Sequence, residues 1–278
     1  MQILDSSIRS CSGQFLERMI AALAALQVPP STSSGCEGGV PFVTLTYAQS
    51  IDGSISARRG TPLLLSCEES MRMTHGLRVA HDAILVGIGT LLADNPSLTS
   101  RLVEGRNPQP VVIDAHLRTP LGCKLLVNDA CVRPIVCART PAAGGDGTSE
   151  WIARRRALEA AGATVLECGA RGATRVDLRD ALRLLGARGI RSVMVEGGAA
   201  IITSLSQPAM RDILGALVVT VAPMFVGGLR AIGELLPPTR DGAAGTAYAK
   251  LDVLQLALLG EDIVFLAAPR RALPSSTK

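Results

Sequence analysis

Short apolar segments alternate with amphipathic segments along most of this chain, and that alternation limits its fold more than any other feature. The apolar segments PFVTLTYA, AILVGIG, PVVID, PIVCA, TVLE, SVMVEGG and ALVVTVAP have the composition of β-strands. Between them, EESMRMTHGLRVAHD, SEWIARRRALEAAG and DLRDALRLLGARG have helical periodicity. Strands that are apolar throughout must be covered on both sides. The sequence therefore predicts an α/β protein with a mostly parallel central sheet and helices on both faces.

The two ends of the chain depart from this alternation. KLDVLQLALL and EDIVFLAA are close enough in sequence to pair, which predicts an antiparallel edge at the C-terminal end of the sheet. Residues 1–40 read as an accessory segment: a helix from Gln14 to Gln27, then the linker PPSTSSGCEGG. The apolar face of this helix comprises Phe15, Met19, Leu23 and Leu26. We expect this segment to be partly mobile or packed on a partner subunit, and residues 41–278 to form a single domain.

Composition and charge argue against several classes of protein. The net charge is only +4, the arginines are scattered, and aromatics are 3% of the residues, so no nucleic-acid-binding surface is expected. The apolar run from Ile20 to Val28 is too short to span a bilayer, and no secretory signal is expected. The seven cysteines form no C-x-x-C motif, and the three histidines show no paired spacing. These features favour reduced thiols in the cytoplasm and no metal site.

Ligands of open α/β sheets bind where the strands end, so the turns after the predicted strands are candidate sites. In Ser50-Ile51-Asp52-Gly53, Asp52 can cap a tight turn. In Gly87-Ile88-Gly89-Thr90, the two glycines let a ligand approach the backbone, and Thr90 is a suitable N-cap. This second turn matches neither the G-x-G-x-x-G fingerprint nor a P-loop, so it does not indicate a Rossmann protein.

A third turn, Val195-Glu196-Gly197-Gly198, leads into a predicted helix and is a natural position for a pyrophosphate. Glu196 at a strand end must find a partner, which is either a group on a bound substrate or a structural salt bridge. Arg78 and Arg101 could each hold a phosphate through the planar guanidinium, although helix arginines more often face solvent.

An ordered series of motifs resembles the riboflavin-pathway reductases. The segments that resemble the family are PFVTLTYAQSIDG, LRVAHDAILVGIGTLLADNPSLTSR, PVVIDAHLRTP, VMVEGGAAIITSL and VTVAPMFVGG, which extend from about Pro41 to Phe265. TYAQSIDG and MTHGLRVAHDAILVGIGT are most similar to the fungal-type enzyme, and the H-x-E…P-C-x-x-C signature of the zinc deaminase that is often fused to the bacterial enzyme is absent. The resemblance implies a dihydrofolate-reductase-like fold.

The resemblance also implies a reaction and a set of site residues. The reaction is NADPH-dependent reduction of a phosphoribosylamino-pyrimidine to its ribitylamino form, with hydride transfer to C1′ of the ring-opened ribose. Cofactor-binding residues would be Ala48, Gly87, Gly89, Thr90, Asp94, Ala115, Gly197, Gly198, Ala199, Ala200 and Ile201. Substrate-binding residues would be Thr61, Arg78, Ser97, Leu98, Arg101 and Glu196, with both arginines and the 97–98 backbone on the 5′-phosphate. Asp52 and Glu196 would lie near the chemistry.

Several alternatives stay open at this stage. The substrate could be the diaminopyrimidinone or the already deaminated uracil derivative. A folate-type reductase is disfavoured by the scarcity of aromatic residues, and a non-catalytic nucleotide-binding subunit by the intact glycines. NADH could replace NADPH, because Arg139 is the one candidate for the 2′-phosphate and we expect modest preference or none. The family tends toward homodimers, and LGALVVTVAPMFVGG fits either an interface or the core.

Overall fold

The computed structural model describes residues 12–27, 39–141, 147–171, 174–234, 236–237 and 250–270. Within these ranges the helices are α1 (Ser12–Gln27), α2 (Glu68–Ala80), α3 (Ile88–Asp94), α4 (Lys124–Val127), α5 (Thr148–Ala160), α6 (Leu178–Gly186) and α7 (Ala199–Leu205). The strands are β1 (Phe42–Ser50), β2 (Ser54–Ser56), β3 (Ala83–Gly87), β4 (Gln109–Ile113), β5 (Ile135–Arg139), β6 (Thr164–Cys168), β7 (Ala170–Arg171), β8 (Arg175–Val176), β9 (Ser192–Val195), β10 (Leu214–Ala222), β11 (Leu229–Arg230), β12 (Leu251–Leu259) and β13 (Asp262–Pro269).

One large sheet organises the chain. Its strands follow the order β12-β13-β10-β1-β9-β3-β4-β5-β6. Every pair from β10 to β6 is parallel, whereas β13 pairs antiparallel with both β10 and β12. The predicted α/β class, with a mostly parallel sheet and an antiparallel C-terminal edge, is confirmed. Of the apolar segment left open between interface and core, the part in β10 (Leu214–Ala222) belongs to the core, whereas Met224 and Phe225 after it are 37% and 80% exposed.

Helices cover both faces of the sheet, as predicted. On one face, α6 and α7 pack through Leu182 and Ile202 on side chains of the central strands. On the other face, α3, α4 and α5 pack on β3, β4, β5 and β6, and α1 and α2 pack on β9, β10 and β13. The strands are apolar on both sides because both sides are covered. Their carboxyl ends, at one edge of these layers, are left free to form a site.

The N-terminal helix packs in the core, so the expectation that the segment 1–40 is partly mobile or packed on a partner subunit does not hold for its helix. Phe15, Met19 and Leu23 of α1 are at most 2% exposed. They pack against Met73 and Leu77 of α2 and against the sheet. The apolar face was recognised in the sequence, but the linker composition after it suggested detachment. The linker, residues 28–38, lies outside the described part of the chain.

Two kinds of feature are not found in the described residues. None of the helices described there is both long and apolar enough to cross a membrane. Within the same ranges, His, Cys, Asp and Glu side chains form no group of three or more that could hold a metal ion. The cysteines described, Cys67, Cys123, Cys131, Cys137 and Cys168, are free thiols.

Candidate functional site

The carboxyl ends of β1, β9, β3 and β4 open into a cleft of about 690 Å³. That volume suits a small-molecule ligand. The segment from Ser56, at the end of β2, to Leu63 also lines the cleft. So do the residues after β4 and the beginning of α6. Since β9 and β3 lie between β1 and β4 in the sheet, the turns after β9 and β3 lie between the ends of those two strands.

Two glycine turns bring backbone to the surface of the cleft. The N–H of Gly87 donates to the carbonyl of Gly197 at 3.3 Å, which joins the turn after β3 to the turn after β9. Gly198 has a φ of +88°, and a Cβ there would lie 3.0 Å from Thr90 Oγ1. A Cβ at Gly89 would meet nothing within 4 Å, since that position faces open space. A ligand can therefore approach the backbone closely at Gly89.

Most of the predicted cofactor residues lie together in this cleft. Ala48, Gly87, Gly89, Thr90, Asp94, Ala115, Gly198, Ala199, Ala200 and Ile201 all line it. Gly197 is buried and lies behind the turn without lining the cleft. Thr90 is not the predicted N-cap: α3 already begins at Ile88, its N-cap is Gly87, and no side chain caps it. The hydroxyl of Thr90 faces Gly198 instead.

Glu196 is held at the cleft by a buried ion pair with Arg78. Arg78 Nε and Nη2 donate to the two carboxylate oxygens at 2.6 and 2.7 Å, and Nη1 donates to the carbonyl of Thr99 at 2.7 Å. The side chains are only 10% and 16% exposed. Burial opposes the charge of Arg78, but the attraction and hydrogen bonds of Glu196 outweigh it and raise the pKa of the guanidinium. The salt bridge considered from the sequence is thus present.

This pairing changes the role predicted for Arg78. The Nε–Nη2 edge of its guanidinium is taken up by Glu196, and Nη1 by Thr99. A bidentate contact between a phosphate and the Nε–Nη2 edge would have to break the buried ion pair, which is costly. Arg78 does not line the cleft, whereas Glu196 does. The structure therefore places Arg78 behind Glu196, as the group that orients it.

The other predicted phosphate-binding residues lie near Arg78, away from the cleft lining. His75, which is buried, is within 3.4 Å of Arg78 Nη1 and accepts from the N–H of Leu102 at 3.3 Å if Nδ1 is unprotonated. Burial and the charges of Arg78 and Arg101 lower the pKa of His75 to about 4, so Arg101 acts electrostatically on this cluster. Arg101 is exposed, Leu98 is buried with a φ of +52°, and neither they nor Ser97 line the cleft.

Asp52 does not lie in the cleft but braces a turn. Its carboxylate accepts from the hydroxyls of Ser50 and Ser54, at 2.6 and 2.7 Å, and from the N–H groups of Val226 and Gly227, at 3.0 and 2.9 Å. These hydrogen bonds, that of Ser50 foremost, lower the pKa of Asp52. A carboxylate with this many donors stabilises the loop, so its predicted place near the chemistry is replaced by a structural one.

Thr61 lines the cleft, as predicted, and its carbonyl accepts from the hydroxyl of Ser56. Arg139, the candidate for the 2′-phosphate, does not line it. Basic residues that the sequence analysis missed do line it, namely Arg58, Arg59, His116, Arg118 and Arg175. A closer look at the residues after β4 could have found His116 and Arg118, whereas no sequence signal marked Arg175.

A cleft at the strand ends that is lined by glycines and arginines is typical of α/β proteins that bind small anionic ligands. The family model described as the RibD C-terminal domain matches residues 41–265. The chain therefore belongs to the RibD C-terminal domain family.

Individual relatives agree with this assignment. The 2,5-diamino-6-ribosylamino-4(3H)-pyrimidinone 5′-phosphate reductase of Archaeoglobus fulgidus is 35% identical over 68% of this chain and 83% of its own length. The riboflavin biosynthesis protein RibD of Actinobacillus pleuropneumoniae is 33% identical over 81% of this chain, which spans 56% of that longer protein. The solved riboflavin biosynthesis reductase Rib7 of Saccharomyces cerevisiae superposes with a TM-score of 0.61, at 29% identity, over 92% of this chain and 98% of its own. The resemblance identified from the motifs is confirmed.

Proposed function

We propose that this chain is an NADPH-dependent reductase of riboflavin biosynthesis. Its substrate would be 2,5-diamino-6-(5-phosphoribosylamino)pyrimidin-4(3H)-one, and its product the ribitylamino 5′-phosphate. The observation that carries the proposal is the cleft itself, which is lined by Gly87, Gly89 and Gly198, here called the glycine wall, and by a carboxylate fixed by a buried arginine. The names of its relatives in archaea and fungi support the same reaction.

The cleft fits a nicotinamide dinucleotide at its glycine wall. The space beside Gly89 is open, so backbone rather than a side chain faces a ligand there. Gly87, Gly198 and the first residues of α7 would then contact the pyrophosphate. Ala48 and Ala115, both small, would leave room for the rings. The bound cofactor would supply the hydride.

Glu196 is the polar group best placed to recognise the substrate. Both of its carboxylate oxygens are oriented by Arg78, so their remaining lone pairs can accept from a ribose hydroxyl or a ring N–H in the cleft. Arg78 holds the carboxylate in a fixed rotamer, which lowers the entropy lost on binding. Thr61 would contact the substrate directly. Ser97, Leu98 and Arg101 follow the cleft-lining Asp94 in the chain, and they would contact the 5′-phosphate where it extends beyond the cleft lining.

The direct test is turnover by the purified chain. We expect oxidation of NADPH, followed by the absorbance of the reduced nicotinamide, to require the diaminopyrimidinone phosphate and to yield the ribitylamine by mass spectrometry. The deaminated uracil counterpart is measured beside it, since the cleft shows no feature that separates the two bases. Turnover of the uracil alone would replace the proposed substrate, and oxidation with dihydrofolate alone would indicate a folate-type reductase. Binding of NADPH without turnover of any substrate would support a non-catalytic subunit.

The glycine wall has its own test in the Gly89→Leu variant. No protein atom lies within 4 Å of a Cβ at this position, so leucine should leave the fold intact while filling cofactor space. Replacing glycine inside α3 should even raise the thermal midpoint slightly. We expect NADPH affinity, measured by titration, to fall about ten-fold or more because a branched side chain displaces the ligand. Gly122→Leu, also in open space but outside the cleft, is the control. If Gly89→Leu binds NADPH with unchanged affinity, the glycine wall is not part of the cofactor site.

We further propose that the chain forms a homodimer and acts in the cytoplasm. The free thiols Cys67, Cys123, Cys131, Cys137 and Cys168 fit a reducing compartment. The edge strand β12 exposes Val253 and Leu256 by 61% and 55%, which fits a surface covered by a second copy.

A further inference from the structure

The segment that follows α3, residues 97–102, has a backbone conformation that its own sequence does not favour. Leu98 has a φ of +52°, in the left-handed region that residues with a Cβ rarely adopt. Its side chain is only 2% exposed, so this conformation is fixed inside the protein. Strain of this kind persists where the surrounding structure holds it, and it is typical of functional sites. In the proposed function, this segment contacts the 5′-phosphate of the substrate.

Two side chains from outside the segment hold it by its backbone N–H groups. Asn107 Oδ1 accepts from the N–H and the hydroxyl of Ser100, at 2.8 and 3.0 Å. His75 Nδ1 accepts from the N–H of Leu102 at 3.3 Å. In the part of the chain that the structure describes, neither N–H has another acceptor. These two contacts therefore decide where the backbone on the C-terminal side of Leu98 lies.

His75 can accept this hydrogen bond only while its ring is neutral, because a protonated imidazole has two donors and no acceptor. Burial foremost, and then the charges of Arg78 and Arg101, lower the pKa of His75 to about 4, so the ring is neutral at pH 7. A neutral ring has one acceptor nitrogen. Arg78 Nη1, 3.4 Å from Nε2, already donates to the carbonyl of Thr99 at 2.7 Å, whereas the N–H of Leu102 has no second acceptor among the described residues. The acceptor is therefore assigned to Nδ1.

We propose that His75 and Asn107 are positioning residues, which hold residues 97–102 in the conformation that binds the 5′-phosphate. Both act through the backbone of the segment, and neither takes part in hydride transfer. The inference rests on the proposed function, since it concerns recognition of the same substrate. Loss of either acceptor should weaken binding of the phosphate and leave the chemical step unchanged, because the phosphate is at the other end of the ribose from C1′.

Two substitutions of His75 separate this role from packing. Asparagine and leucine have nearly the same shape, and both remove the ring, but only asparagine keeps an acceptor near the position of Nδ1. We expect His75→Leu to raise KM for the phosphorylated substrate about ten-fold with kcat unchanged, and His75→Asn to stay within about three-fold of the wild type. If His75 only fills space, the order is reversed, because leucine is easier to bury than an amide. KM for the dephosphorylated substrate should be the same in both variants.

Asn107, which is exposed, provides an independent variant if substitution of the buried His75 prevents folding. Asn107→Leu should raise KM for the phosphorylated substrate in the same way. Asn128→Leu is the matched control, because Asn128 Oδ1 also accepts from a backbone N–H, that of Ala130 at 2.9 Å, but outside the segment. We expect this control to keep the wild-type KM. Amide hydrogen exchange of residues 97–102, measured by mass spectrometry, should be faster in His75→Leu and Asn107→Leu than in the other proteins.

The outcomes separate this inference from the proposed function. The inference is wrong if the two His75 variants have the same KM, if Asn107→Leu keeps the wild-type KM, or if the dephosphorylated substrate is affected equally. In each of these cases the chain is still a reductase. If the wild type reduces no pyrimidine, titration with ribose 5-phosphate replaces the measurement of KM. Tighter binding by the wild type and His75→Asn than by His75→Leu then supports the positioning role while the proposed reaction fails, and equal binding by all three, or none, overturns both.

Discussion

Arg78 and Glu196 come from elements 118 residues apart, and their pairing decides what each can do at the cleft. We expect Arg78→Met to cost about 3–5 kcal/mol in the free energy of unfolding, because it leaves a buried carboxylate uncompensated. Glu196→Gln should destabilise for the matching reason, and the double variant should lose less than the sum of the two. Urea unfolding of the four proteins measures this coupling. The exposed pair of Arg72 and Glu68, at 56% and 73%, is the control and should contribute under about 1 kcal/mol.

The Arg78→Met variant also shows whether Arg78 orients Glu196 or binds the phosphate of the substrate directly. If Arg78 acts through Glu196, Arg78→Met lowers kcat/KM by a similar factor for the phosphorylated substrate and its dephosphorylated counterpart. If kcat/KM falls only for the phosphorylated substrate, Arg78 binds the phosphate directly, as first inferred from the sequence.

At this scale, residues could be predicted where local chemistry is enough. Gly87, Gly89 and Gly198 were recognisable because glycine after a strand marks a close backbone approach. The partner of Glu196 could not be chosen among alternatives, because nothing local links two residues so far apart in sequence. Arg175 was not predicted as a cleft residue because its position depends on where β8 packs, and a strand of two residues has no recognisable sequence pattern.

At the scale of elements, α1 shows how a helix with a recognisable face can still be misplaced. Its buried side chains join those of α2 under the sheet. We expect Met19→Ala to reduce the free energy of unfolding by about 2–5 kcal/mol, because the methionine is fully buried. Glu17→Ala on the exposed face of the same helix is the control and should change stability by less than about 0.5 kcal/mol. A small, equal effect of both substitutions in denaturant titrations would mean that α1 is detached in solution.

Most strands were predictable as elements because they are apolar over their whole length and end at glycine or polar turns. Three helices, α2, α5 and α6, were predictable because their apolar residues recur with helical periodicity. The packing of α1 on the sheet was not predictable, because the linker after it has a composition typical of loops and does not indicate where the helix packs. Short pieces such as β2 and β11, which pair with each other across the chain, also lack a local signature.

For the whole molecule, the order of the strands decides where the site and the exposed edges lie. A pattern of alternating elements predicts a parallel sheet but not that β1 lies between β9 and β10, since that order depends on long-range pairing. The order places the carboxyl ends of four strands around one cleft and leaves β12 at an edge. An edge strand either pairs with another chain or carries features such as charged side chains that prevent such pairing. Among the described strands, β12 is at an edge of the sheet, and it has exposed apolar side chains at several positions.

The proposed dimer therefore depends on β12, and substitutions there test it. Val253 and Leu256 are 61% and 55% exposed, and lysine at both positions would bring charges into an apolar contact. We expect sedimentation velocity to give twice the chain mass of 28.9 kDa for the wild type and the single mass for the Val253→Lys, Leu256→Lys double variant. Ile152→Lys, at an apolar position of α5 that is 41% exposed, is the control and should stay dimeric. A wild type that is monomeric at tens of micromolar, or a double variant that stays dimeric, would show that β12 is not the surface that joins two copies.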